Sequence, residues 1–397
     1  MVEELRRDFN ERFTEHRFSM FRQRLDDRFG RPITFRVCET PLFVSEQMRR
    51  TCETAGDGHP RDLHGNAAYH EASAGALRPD LVVRHRPDHP AFVCVDFALV
   101  NEDGAVVPRL VELQGFPSVM AYQLIVAEMY VEHFRLSTDL IGINGDLSRS
   151  ELLAAMRRTI VGDHEIEDVV LMDLDPWNQK TCPDFRATND LLGVPVVDAR
   201  SLKKEGRRLF YETSDGTLRP IRRIFNRAIA DEIDRREEEL PFRWTDELDL
   251  EWAGHPNWFY QLSKFSMPFL DHPSVPATHF LSDFDSWPDD LDEYVLKPLY
   301  SFAGTGVVVG PDQTILDAIP SENRRDFILQ RRVRYAEVID TPAGRSQAEL
   351  RIMLLWEPDG DPTPAMSLVR TGRGAKMGVD ANTRERWIGA SCALFTG

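Results

Sequence analysis

Phe92-Val-Cys-Val-Asp96-Phe-Ala-Leu-Val100 and Val106-Val-Pro-Arg-Leu-Val-Glu112-Leu-Gln114, joined by Asn101-Glu-Asp-Gly104, read as the two strands and the turn of a β-hairpin. Residues two apart on a strand share a face, so Glu112 and Gln114 point the same way, and Asp96 on the partner strand can lie beside them. Three side-chain oxygens then converge. Hard cations such as Mg²⁺ take oxygen ligands and keep water or phosphate in their remaining positions, so the trio reads as a holder for a magnesium-bound nucleotide. The same spacing also suits polar residues on the open face of an ordinary hairpin.

Outward from the hairpin, the turn Gly115-Phe-Pro117 leads into a helix expected over about Ser118 to Phe134, where Met120, Leu124, Ala127 and Tyr130 recur at helical intervals. Strand and helix then alternate. The run Asp168 to Leu174, a helix around Asp184 to Leu192, Val194 to Asp198 and Pro220 to Phe225 predict an open α/β sheet, in which ligands meet the carboxyl ends of the strands. Upstream, Leu5, Phe9, Phe13, Phe18, Phe21 and Leu25 predict amphipathic helices from about Glu3 to Phe29. Between Thr51 and Pro79 the composition turns to Gly, Ala, His and Asp, which reads as loop or short helix. His59, His64 and His70 lie there, but their spacing puts no pair on one helix face, which argues against a metal site.

The second decisive stretch is Tyr294-Val-Leu-Lys297-Pro-Leu-Tyr-Ser301-Phe-Ala-Gly304-Thr-Gly306-Val-Val-Val309. A strand end would fix the Lys297 ammonium as a point charge, and Gly304 and Gly306 would let backbone N–H groups approach phosphate oxygens that a side chain holds off. A plain hairpin with a glycine turn is the alternative.

Composition bounds the partners. The chain has 397 residues, 42% of them hydrophobic, with 48 Lys and Arg against 65 Asp and Glu for a net charge of −17. Such acidity repels nucleic acid and anionic membrane, and no long basic tract offsets it. Cys38, Cys52, Cys94, Cys182 and Cys392 are odd in number and lack C-x-x-C spacing, which points to reduced thiols rather than a disulfide framework or a zinc site. The opening residues Met1 to Asp8 carry no apolar signal-peptide core, and no apolar run reaches the roughly 18 residues of a membrane span, so the cytoplasm is the expected compartment. The oligomeric state has no signature.

The segment Leu110-Val-Glu112-Leu-Gln114-Gly-Phe-Pro117-Ser resembles the metal-binding segment of ATP-grasp ligases in their circularly permuted form, as in the synthetase domain of the glutathionylspermidine synthases, with Gln114 where Asn is usual. The metal-binding strands precede the nucleotide lobe in that form, as they do here. Pro220-Ile-Arg-Arg-Ile-Phe225-Asn-Arg227 is similar to the strand that closes the family's substrate-side subdomain. The stretches His255 to Leu270, Val275 to Thr278, Phe327 to Val333 and Glu349 to Leu355 resemble later elements of the nucleotide lobe.

The resemblance implies an α/β chain built from α+β lobes: an N-terminal helical segment and loop over 1–88, a metal-binding hairpin plus an open α/β substrate-side subdomain over 89–240, and an ATP-grasp-like nucleotide lobe over 241–397. It implies ATP and Mg²⁺ as cofactors and small-molecule carboxylate and amine substrates, joined through an acyl phosphate. The metal would sit on Asp96, Glu112 and Gln114. The nucleotide would be held by Lys264, Lys297, Ser301, Gly304, Gly306 and Gln330. Lys297, Arg351 and Arg370 would face the transferred phosphoryl group, where an arginine fork is stronger than a lysine. Asn226, Arg227 and Asp173 would face the substrates, although Asp173-Leu-Asp175-Pro-Trp177 also reads as a strand end with a capping aspartate. A phosphotransferase on the same site, and a non-catalytic binding protein that keeps the fold, are the competing functions.

Overall fold

The computed structural model describes residues 1–300, 305–374, 377 and 385–396. The chain is of mixed α/β class, as the alternation of patterns predicts. At its centre the hairpin strands Phe92–Glu102 and Ala105–Gln114 join Gln347–Leu355, Thr363–Gly372 and Gly389–Ser391 in one antiparallel sheet of five strands. Strand Phe92–Glu102 is buried along nearly its whole length because both faces of this sheet are covered.

Alternation sorts the two faces. Val93, Val95, Phe97 and Leu99 face one core together with Leu350, Ile352 and Leu354, under the helix Glu46–His64. That helix replaces the loop or short helix expected from composition: Ser45 caps it by accepting the Met48 N–H, and Met48, Cys52, Ala55, His59 and Leu63 form a buried stripe that outweighs the glycines and Pro60 within it. Phe92 and Cys94 face the other core with Met353 and Leu355, under the apolar helix Met120–Phe134. The N-terminal helices Glu3–Arg12 and Glu15–Phe29 bury Phe9, Phe18, Phe21 and Leu25 against the same core. The second is capped by Thr14 and ends on left-handed Gly30.

Two further sheets flank this one. Val169–Asp173, Val196–Asp198, Arg223–Asn226 and Glu251–Ala253 form an all-parallel sheet, the open α/β arrangement expected from the alternation. Thr278–Phe280, Phe327–Arg331, Tyr294–Pro298 and Val308–Val309 form an antiparallel sheet, in that spatial order. Tyr294–Pro298 and Val308–Val309 do pair as a hairpin. Gly306 in the intervening turn has φ +73°, and a Cβ there would stand 2.8 Å from the Pro298 ring, so only glycine fits. Ser301 and Gly304 lie outside the described residues.

Candidate active site

A row of ionic side chains crosses the central sheet. Glu112, Asp96 and Arg351 are direct cross-strand neighbours on three adjacent strands, and Arg370 stands opposite Glu349 on the next pair. Two carboxylates directly opposite each other repel unless cations separate them. Arg351 supplies one cation as a bidentate fork, Nε and Nη2 each donating to an Asp96 oxygen at 2.6 Å, while its Nη1 donates to Ser118 Oγ at 3.3 Å. Arg370 Nη1 donates to Asp96 Oδ2 at 3.3 Å and also to Glu349, whose other oxygen accepts from Tyr335 at 2.5 Å. Burial alone would raise the Asp96 carboxyl, but the two guanidinium groups outweigh it and hold it below the usual carboxylate range.

Lysines complete the row from outside this sheet. Lys264, on the 3₁₀ turn Lys264–Phe269, places Nζ 3.2 Å from Glu112 Oε1. Lys297 reaches in from the antiparallel sheet. Between Asp96 and Phe97 the hairpin register slips by one residue, so Val111 is a bulge with its carbonyl released from the ladder. Lys297 Nζ donates to that carbonyl at 3.1 Å and to Gln330 Oε1 at 2.6 Å, and the Gln330 amide in turn donates to Thr278 Oγ1 at 3.0 Å. Burial lowers the Lys297 ammonium to about 8, against the raising influence of Glu112, Glu349 and Asp96.

Asp96, Glu112, Gln114, Lys264, Lys297, Gln330, Arg351 and Arg370 therefore occupy one site, although they are spread over more than 270 positions of the chain. Lys264, Lys297, Arg351 and Arg370 against Asp96, Glu112 and Glu349 leave a surplus positive charge, which suits an anion.

The donor set fits a phosphate better than it fits a magnesium ion. Both Asp96 oxygens are held by Arg351, and the two Glu112 oxygens are engaged by Lys264 and by the Gln114 amide at 3.1 Å. A hard cation needs free carboxylate oxygens, and in this arrangement those of Asp96 and Glu112 already accept from protein donors. Among the described residues no group of three or more His, Cys, Asp or Glu side chains is placed to hold a metal.

One solved structure shares this architecture. A glutathione synthetase-like effector from Globodera pallida, in its apo form, superposes with a TM-score of 0.62 at 11% identity over 96% of both chains. The likeness is one of fold. A putative gamma-glutamylcysteine synthetase from Methylobacillus flagellatus reaches a TM-score of 0.40 at 12% identity, over 87% of this chain and 88% of that one. No protein-family model matches the sequence, and no curated protein matches it either. No helix among the described residues is long and apolar enough to cross a membrane.

The substrate-side candidates lie together at one end of the parallel sheet. Asp173 and Asn226 end adjacent parallel strands, and Arg227 continues beside Asp173 by donating its N–H to the Met172 carbonyl at 2.9 Å. Arg227 forms a buried ion pair with Asp184 at 2.5 Å, and Asp184 also accepts the Tyr122 N–H at the start of helix Met120–Phe134. Sequence reasoning missed Glu349, Tyr335, Ser118 and Asp184. Glu349 could have been found, since it lies two residues before Arg351 and so shares its face of the strand. Ser118 directly follows Pro117 in the hairpin motif. Tyr335 and Asp184 carry no local signal, because only the folded chain brings them to Glu349 and Arg227.

Proposed function

We propose that the protein is an ATP-dependent ligase of the ATP-grasp type, in its permuted order, that joins a carboxylate to an amine. The observation that carries this reading is the meeting of an early acidic hairpin with the late cations Lys264, Lys297, Arg351 and Arg370 in one cluster. The fold shared with a glutathione synthetase-like protein agrees with it.

In the first step a carboxylate oxygen of the acid attacks the γ-phosphorus, the bond to the bridging oxygen breaks, and ADP departs. In the second the amine nitrogen attacks the acyl carbon, the bond from that carbon to the bridging oxygen breaks, and phosphate leaves with that oxygen as the nitrogen gives up a proton. Charge accumulates on phosphoryl and acyl oxygens in both, so positioning and electrostatics do most of the catalysis. Lys297, fixed between Val111 and Gln330, and Lys264 would meet the phosphate oxygens; Arg351 and Arg370 are placed for the transferred group. Both ends of the Gln330 amide serve Lys297 and Thr278, which makes it a positioner of the lysine in the first instance. Asn226, Arg227 and Asp173 would line the substrate crevice. Magnesium on Asp96, Glu112 and Gln114 would require Arg351 and Lys264 to withdraw, so no step is assigned to it.

The clamp on Asp96 also favours a second reading, a nucleotide- or anion-binding protein without turnover. One assay separates the two. The purified protein is mixed with ATP, hydroxylamine and a panel of amino-acid and peptide carboxylates, and ADP and hydroxamate are measured. Equal yields of both identify the acyl phosphate and support the ligase. Stabilisation by ATP with neither product supports the binding protein, and ADP with a stable phosphorylated acceptor supports a phosphotransferase.

A further inference from the structure

In the parallel sheet the chain runs from Val169–Asp173 to Val196–Asp198 on one side, then returns to Arg223–Asn226 on the opposite side of the first strand and on to Glu251–Ala253. Connections leaving the two central strands therefore diverge. Such a switch point leaves a crevice at the carboxyl ends of the strands, and here those ends are Asp173 and Asn226.

The side chains at this crevice are incompletely partnered. Asp173 is 5% exposed, its Oδ1 accepts the Leu174 N–H at 2.7 Å, and among the described residues no cation lies within ion-pair distance of it. Asn226 is 1% exposed; its Oδ1 accepts the Ala228 N–H at 3.2 Å and its Nδ2 has no partner among the described residues. The nearest cations are committed elsewhere: Arg227 pairs with Asp184, and Arg236 pairs with Glu232 at 2.5 Å. Arg227, Glu232 and Arg236 are the charged groups that act on Asp173 from the elements around it. Burial, opposed by Arg227, pushes its carboxyl up to about 7.

Burial raises the Cys94 thiol, and Arg351, Asp96, Arg370 and Arg227 all act on it electrostatically, so the ends of the parallel strands and the ionic row share a neighbour. Gly254 packs against both the Asn226 carbonyl and Pro117, whose neighbour Ser118 is bonded to Arg351.

We propose that Asp173 binds the primary ammonium group of the second substrate at this switch point and removes one proton from it. The assignment rests on the ligase reading and names its amine site. The carboxylate accepts a proton from R–NH₃⁺ and later passes it to solvent. The free amine forms the C–N bond as the C–O bond to phosphate breaks, and the second nitrogen proton leaves with the phosphate.

The test uses the full-length protein with glycine and putrescine as probes, titrated by calorimetry, while the ¹³C carboxyl resonance of Asp173 is followed by NMR. At least one probe is expected to bind at pH 8, with affinity falling up to about tenfold per pH unit below about 7 as Asp173 takes up a proton. Bound ammonium should also lower the titration midpoint of the Asp173 resonance. Asp173→Asn should weaken binding at least about tenfold and Asp173→Glu less. Glycine binding marks an amino-acid acceptor and putrescine a polyamine. The assignment is overturned if neither probe binds, or if Asp173→Asn binds as well as the parent. Stabilisation by an ATP analogue is measured separately and should be unchanged in Asp173→Asn; its absence in the parent would sink the ligase reading while leaving the amine titration to be judged by itself.

Discussion

Asp96 is 3% exposed and is bonded at both oxygens by the Arg351 guanidinium, with Arg370 a second, longer partner, so its buried charge depends chiefly on Arg351. Removing one partner of a buried pair strands the other, at a cost of about 3–5 kcal/mol. Asp96→Asn should accordingly lower the urea midpoint by that equivalent, and the double variant Asp96→Asn/Arg351→Met should recover part of the loss. Lys297 gives a pH prediction. Its ammonium titrates near 8 in the free protein, below the ordinary 10.5, and a phosphate ligand needs it protonated. Nucleotide affinity, followed by titration calorimetry, should hold below pH 8 and fall by up to about tenfold per unit above it, because the ligand must then supply the binding energy that restores the proton. For folding the sign is reversed: between about 8 and 10.5 the unfolded chain holds more protons, so the penalty for burying Lys297 fades as pH rises. Lys297 and Glu112 were read from the sequence as charges set in apolar strands, and Arg351 through the resemblance of its strand to the family's. That Arg351 grips Asp96 was not, since register between strands 255 positions apart has no local signature.

Among the elements, the hairpin Phe92–Glu102 to Ala105–Gln114 and the helix Met120–Phe134 follow directly from period-two and period-3.6 patterns. The helix Glu46–His64 did not, because its glycines, histidines and Pro60 mask a stripe that is apolar only at every third or fourth position. The bulge at Val111 was equally silent, yet it frees the carbonyl that orients Lys297. The glycine turn offers the test at this scale. Gly306→Ala meets both a left-handed φ and the Pro298 ring, and should cost about 1–3 kcal/mol of local stability. Hydrogen exchange of Val308 and Val309, which pair with Leu296 and Val295, should accelerate, and nucleotide stabilisation in a thermal melt should weaken.

At the scale of the molecule, the first strand of the hairpin is held between Ala105–Gln114 and Gln347–Leu355, so the central sheet is made from both halves of the chain. A fragment of residues 1–240 loses the strand Gln347–Leu355 that pairs with Phe92–Glu102, and with it Leu350, Ile352 and Leu354 from the core around Val93, Val95 and Phe97. Circular dichroism and proton NMR of that fragment should show no cooperative melting, and mixing it with the fragment 241–397 should restore a transition. The net charge of −17 adds self-repulsion, which moderate salt screens. The sequence by itself determined the α/β class, the central hairpin and the helix Met120–Phe134, because these follow from local periodicity and side-chain type. Only the tertiary structure decided that the carboxylates of the hairpin are held by Arg351 and Lys264, and that Asp173 lies buried at the switch point with no ion-paired cation among the described residues. Burial and cross-strand register arise from contacts between distant segments, and no local pattern encodes them.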